Sequence, residues 1–109
     1  MGILVIVVYR PKFGKAEVLE SLVRRHRSDL EKEGLVTSSP ALAGRAADGA
    51  IVEAFVWKSQ AAIDAAHSNP AVAALWEEFA EACDYDVIAN VAEAAQVFSP
   101  FDAIELDGA

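Results

Sequence analysis

The run Ala50-Ile51-Val52-Glu53-Ala54-Phe55-Val56-Trp57 decides the fold. It is rich in β-branched and aromatic residues, apolar everywhere but at Glu53, and closed by Lys58-Ser59, so it reads as a strand. A strand with one face in water alternates apolar and polar residues. This one does not, so both of its faces need cover. Period-two alternation sets Glu53 with Ile51, Phe55 and Trp57 on one side. A carboxylate in that company is partly stripped of water, which strengthens it as a proton acceptor.

Upstream, Ile3 to Tyr9 is an equally apolar first strand, and Pro11 and Gly14 punctuate the loop after it. No basic residue precedes it, and it is far short of the roughly 20 residues that cross a bilayer, so neither a signal peptide nor a membrane segment is expected. From about Lys15 to Glu33, the positions Leu19, Leu22, Val23, His26 and Leu30 form one helical stripe. The opposite side carries the i,i+4 pairs Glu20/Arg24, Arg25/Asp29 and Arg27/Glu31, and Gly34 stops the helix. Leu35 to Ala43 reads as a weak strand that Pro40 confines to an edge or bulge, and Asp48-Gly49 is a turn signal.

Downstream, Ser59 is an N-cap for a helical stretch that breaks at Asn69, because a residue before proline resists the α region. The helix resumes over about Ala71 to Cys83, with Val72, Leu75, Trp76, Phe79 and Cys83 on its stripe. Tyr85 to Ala89 reads as a fourth strand, Val91 to Gln96 as a helical turn, and the chain from about 97 onward as an extended arm. The order is β-α-β-β-α-β: a single α+β domain over residues 1–109, of ferredoxin-like form.

The composition narrows the function. With 109 residues the chain suits one domain, and 54% apolar content excludes intrinsic disorder. A net charge of −8 gives no footprint for a phosphate backbone, so nucleic acid is not the expected partner. A single cysteine, Cys83, cannot form an internal disulfide, and with no address visible a cytoplasmic location is expected. Two histidines without i,i+4 spacing make no metal signature. Two helices cover only one face of a four-stranded sheet, and the strands are apolar on both. The expected cover for the second face is another copy, giving a homodimer packed through its sheets.

The segments Phe55-Val56-Trp57-Lys58-Ser59, Ala66-His67-Ser68-Asn69-Pro70-Ala71-Val72 and Leu75-Trp76-Glu77-Glu78-Phe79 resemble the antibiotic biosynthesis monooxygenase (ABM) family, within the dimeric α+β barrel superfamily. The likeness runs from Ile3 to about Phe101 and is strongest over residues 55–79. It implies a ferredoxin-like protomer, a dimer, and a ligand cavity between sheet and helices in each protomer. Characterised members include cofactor-independent oxygenases acting on polycyclic aromatic substrates, haem-degrading enzymes, and quinol or aldehyde-type oxygenases. The haem-degrading branch carries an asparagine in strand one, and a tryptophan and a haem-ligating histidine on helix two. Here strand one has no asparagine, Trp76 stands roughly where that histidine is expected, and Ala66 lies near the tryptophan position. The resemblance therefore implies a cofactor-independent monooxygenase-like protein acting on a small aromatic or quinone-type molecule. The alternative is a non-catalytic small-molecule-binding or stress-response module.

Within this frame the catalytic candidates are Glu53 and His67, either of which would abstract a proton from an activated substrate. Glu53 has a second reading as an interface carboxylate, and His67 as a helix cap. The expected pocket residues are Tyr9, His26, Phe55, Trp57, Asn69, Trp76 and Phe79. His26, on an apolar stripe, reads as a satisfied core histidine or as cavity lining. Tyr9 is the polar handle of the aromatic set, because its hydroxyl needs a partner if buried.

Overall fold

The structure, a computed structural model, describes residues 2–107. Its elements are β1 (Ile3–Pro11), α1 (Ala16–Lys32), β2 (Leu42–Arg45), β3 (Ile51–Trp57), α2 (Gln60–Ala66), α3 (Pro70–Ala82), β4 (Cys83–Asp86) and β5 (Asp102–Ile104). Two single-turn 3-10 helices, Ile88–Asn90 and Ala92–Ala95, lie between β4 and β5. One antiparallel sheet runs in the order β4-β1-β3-β2-β5, so the fold is α+β. No described helix is long and apolar enough to cross a membrane.

The helices follow their sequence signals. The stripe Leu19, Leu22, Val23, His26 and Leu30 is buried along its length, and Gly34 takes φ +73° just past the end of α1. Ser59 caps α2 by accepting the Ala62 N–H. Asn69 breaks the chain between α2 and α3, and its Oδ1 accepts the N–H groups of Ala71 and Val72 at 2.9 and 3.1 Å. Pro70 then occupies the first turn of α3, where a missing N–H costs nothing.

The strand boundaries differ from expectation in three places. The second strand starts at Leu42, past Pro40, and Leu35-Val36 is joined to β3 only by an isolated bridge between Val36 and Trp57. The fourth strand starts at Cys83, directly on the end of α3, and not at Tyr85. It stops at Asp86, whose Oδ1 accepts the Val87 N–H and turns the chain into the first 3-10 helix. The C-terminal arm pairs with β2 as a fifth strand. Gly44 permits that approach: a Cβ there would lie 2.6 Å from the Phe101 Cβ.

Helices α1 and α3 cover the sheet face that carries Val5, Val7, Tyr9, Ile51, Glu53, Phe55 and Trp57. The expectation of a wholly bare second face is corrected. The 3-10 segment and Phe101 pack onto Val8, Ala46, Ala50 and Val52, with Val91 at the centre. Leu4, Ile6 and Leu42 stay exposed beyond that cover.

Candidate functional site

Three polar side chains meet under α1. In β1, Tyr9 is two residues along from Val7, which pairs with Glu53 of β3, so the two side chains are diagonal neighbours on one face. His26 comes down onto them from the apolar stripe of α1. The Tyr9 hydroxyl donates to Glu53 Oε1 at 2.6 Å, and His26 Nδ1 lies 2.8 Å from the same oxygen. Glu53 is 0% and His26 4% exposed.

The surroundings are aromatic. The Tyr9 ring stacks on Phe79 at 5.1 Å, and the imidazole meets Phe79 and Phe55 edge-on at 4.8 and 5.3 Å. Burial, reinforced by the Glu53 charge, holds the Tyr9 phenol well above its ordinary range, so it stays a donor. With Tyr9 donating, a Glu53 carboxylate also accepts the Nδ1–H of His26. In a neutral imidazole that arrangement leaves the lone pair on Nε2. Nε2 has no partner, nor has Glu53 Oε2. Buried polar atoms are nearly always satisfied, so two such atoms in one cluster single it out as the candidate site.

The cluster adjoins a cavity of about 400 Å³. The sheet contributes Val5, Val7, Tyr9, Phe55 and Trp57 to its wall, α1 contributes His26, α3 Trp76, and β4 Tyr85 at the open edge. Glu53 does not reach this wall; it sits behind His26 and Tyr9. A cavity lined by flat apolar surface with one imidazole and two phenols suits a small aromatic molecule bearing a polar group. A larger groove of about 500 Å³ between α1 and α3 has a different character. Its charged side chains, such as Arg25 with Asp29 and Glu78, are already paired with one another.

Of the residues expected at the site, the structure brings together Glu53, Tyr9, His26, Phe55, Trp57 and Trp76. The other three are not in the cavity wall. His67 is exposed at the end of α2, where its Nδ1 bonds the Ile63 carbonyl at 2.9 Å, and its ring meets only the edge of Trp76. Asn69 is occupied as the α3 cap and donates to Glu33. Phe79 is fully buried beneath the cluster and forms no part of the wall.

Sequence reasoning missed Tyr85. The signal was there, since an aromatic on a short edge strand beside apolar β1 has one side to cover; half-covered, its phenol is pushed up to about 12 by burial. Among the described residues no group of three or more His, Cys, Asp or Glu side chains is arranged to hold a metal ion. A scan against protein-family models finds no match, and searches of curated proteins and of solved structures find none either.

Proposed function

We propose that the cavity binds a small, flat aromatic or quinol-type molecule and that His26, backed by Glu53, takes a proton from it. The observation that carries this reading is the unpartnered Nε2 of His26, a buried residue that borders an apolar cavity, with the other ring nitrogen on a buried carboxylate. A carboxylate on Nδ1 holds the imidazole in one tautomer and offsets the positive charge that forms when Nε2 is protonated. Glu53 is thus a positioning residue, and Tyr9 steadies the same carboxylate oxygen.

The resemblance to the antibiotic biosynthesis monooxygenases supplies the rest of the proposal. The order β4-β1-β3-β2, with helices on one face, is what a ferredoxin-like protomer requires and supports that reading. In a cofactor-independent oxygenation, an acidic CH2 group loses one proton to His26 Nε2. The carbanion passes its electrons to dioxygen and forms a C–O bond; the resulting peroxide takes the proton back, and loss of the remaining C–H with cleavage of the O–O bond releases water and leaves a carbonyl. Removing the exposed apolar side chains Leu4, Ile6 and Leu42 from water supports a homodimer packed through this sheet face.

Oxygen uptake with anthrone- and hydroquinone-type compounds tests the chemistry. The His26→Asn variant is expected to lose roughly 100-fold or more, the usual contribution of a general base. Glu53→Gln should lose much of that as well, while His67→Ala keeps wild-type turnover. Loss in His67→Ala with His26→Asn intact would overturn the assignment. Tight binding of these compounds without oxygen uptake would favour a non-catalytic binding module.

A further inference from the structure

The uncovered part of the second sheet face is apolar and free of charge where β1, β3 and β2 present Leu4, Ile6, Ala54, Val56 and Leu42. Leu4 is 64% and Leu42 74% exposed. Alongside runs the segment that leads into β5. Its Val97 and Phe98 are 97% and 90% exposed and enlarge the apolar patch. Further along, Phe101 packs back onto the sheet. With Ser99, Leu42, Val52 and Ala54 it walls a recess of about 280 Å³ on that same face.

A projecting ring and an apolar recess therefore stand side by side in one patch. A two-fold contact brings the same patch of two copies together, and the patch is self-complementary where the ring of each meets the recess of the other. We propose that this face is completed by a second copy of the chain, with Phe98 of each copy seated in the Leu42–Val52–Ala54–Phe101 recess of the other. The inference rests on the two-copy reading of the sheet face and names the contact that locks it.

Area and charge favour a second copy as the occupant. Leu4, Ile6, Leu42, Val97 and Phe98 offer on the order of 600 Å² of exposed apolar surface per copy, near the ~800 Å² per partner of a standard stable interface. Each copy has a net charge of −8, which opposes association in general. Because the patch itself is uncharged, that repulsion acts only between rims, and added salt screens it.

Sedimentation equilibrium at micromolar concentration tests the contact. The wild type is expected to be a dimer that tightens with salt. Phe98→Asp and, independently, Ala54→Arg in the recess should weaken association at least tenfold, with unchanged far-ultraviolet circular dichroism. Phe13→Asp, at an equally exposed ring in the β1–α1 loop, should leave the dimer intact. A Phe98→Asp protein as dimeric as the wild type would overturn the interlock and leave the sheet-face dimer standing. A monomeric wild type would overturn both.

Discussion

Glu53 and Tyr9 share one proton-rich contact, and its cost and benefit are legible at the level of single groups. A carboxylate with no exposed surface is tolerated only where it is hydrogen-bonded, and here one oxygen accepts from both Tyr9 and His26. The phenols carry a measurable consequence. Tyr9 and Tyr85 are the chain's two tyrosines, and burial raises both, Tyr85 to about 12. An unfolded tyrosine ionises near pH 10, whereas the folded protein keeps its protons, so this stabilisation is complete below about pH 10 and declines as pH rises above it. Ultraviolet titration should show almost no tyrosinate at about pH 10 while the fold persists, with the signal appearing as Tyr85 ionises or as the chain unfolds. The whole signal rising near pH 10 in folded protein would contradict the burial of Tyr9.

The sequence placed several of these residues correctly and could not place others, for identifiable reasons. Period-two alternation put Glu53 on the face of Phe55 and Trp57, and helical periodicity put His26 on a buried stripe; both signals are local. That the two residues touch is a contact across 27 positions, set by how α1 seats on the sheet, and no local pattern encodes it. His67 carried the same side-chain chemistry as His26 but stands one turn beyond Ile63, where the α2 carbonyls are open and take its N–H.

Among the elements, the α2–α3 break is the most informative, because one side chain serves two purposes. Asn69 caps α3 through Oδ1 and, through Nδ2, reaches Glu33 just past the end of α1 at 3.0 Å. It thereby ties the start of one covering helix to the end of the other, on the rim of the charged groove. Asn69→Ala is expected to lower stability by about 1 kcal/mol, the usual cost of losing an N-cap, read as a lower urea midpoint with an unchanged slope. A Gly34→Ala change would act at the other end of the same junction by forcing a side chain into φ +73°. The capping residues were plain in the sequence. The start of β2 was not, because Pro40 and the Val36–Trp57 bridge split what reads as one extended stretch into a bridge and a short strand.

Taken whole, the molecule is a sheet whose two faces have different closures. Helices close one face and leave a cavity. The other is closed at one end by the 3-10 segment and the arm, and is open at the far end. The arm contributes more than a cover: Ile104 joins the core cluster around Tyr9, Leu106 packs against both helix-side clusters, and the Asp107 N–H bonds the Arg24 carbonyl at 2.9 Å. Ending the chain after Ser99 should cost about 2–5 kcal/mol, in the range of deleting a large buried aliphatic side chain, and should expose β2 as a bare edge prone to association. Urea titration and light scattering would show both effects; an unchanged midpoint would mean the arm is only an appendage.

The cavity wall also contains a built-in optical probe. Trp57 and Trp76 are the chain's two tryptophans, and both border the same 400 Å³ space. Native fluorescence therefore has no background from indoles remote from the site, and any molecule that enters must alter it. The two emitters differ in what else they sense. Trp57 is buried and leans on Phe55, while Trp76 is partly buried and also meets the exposed His67 ring at 5.5 Å. Trp57→Phe and Trp76→Phe variants separate the two signals, so occupancy of the cavity can be read from either side in unlabelled protein.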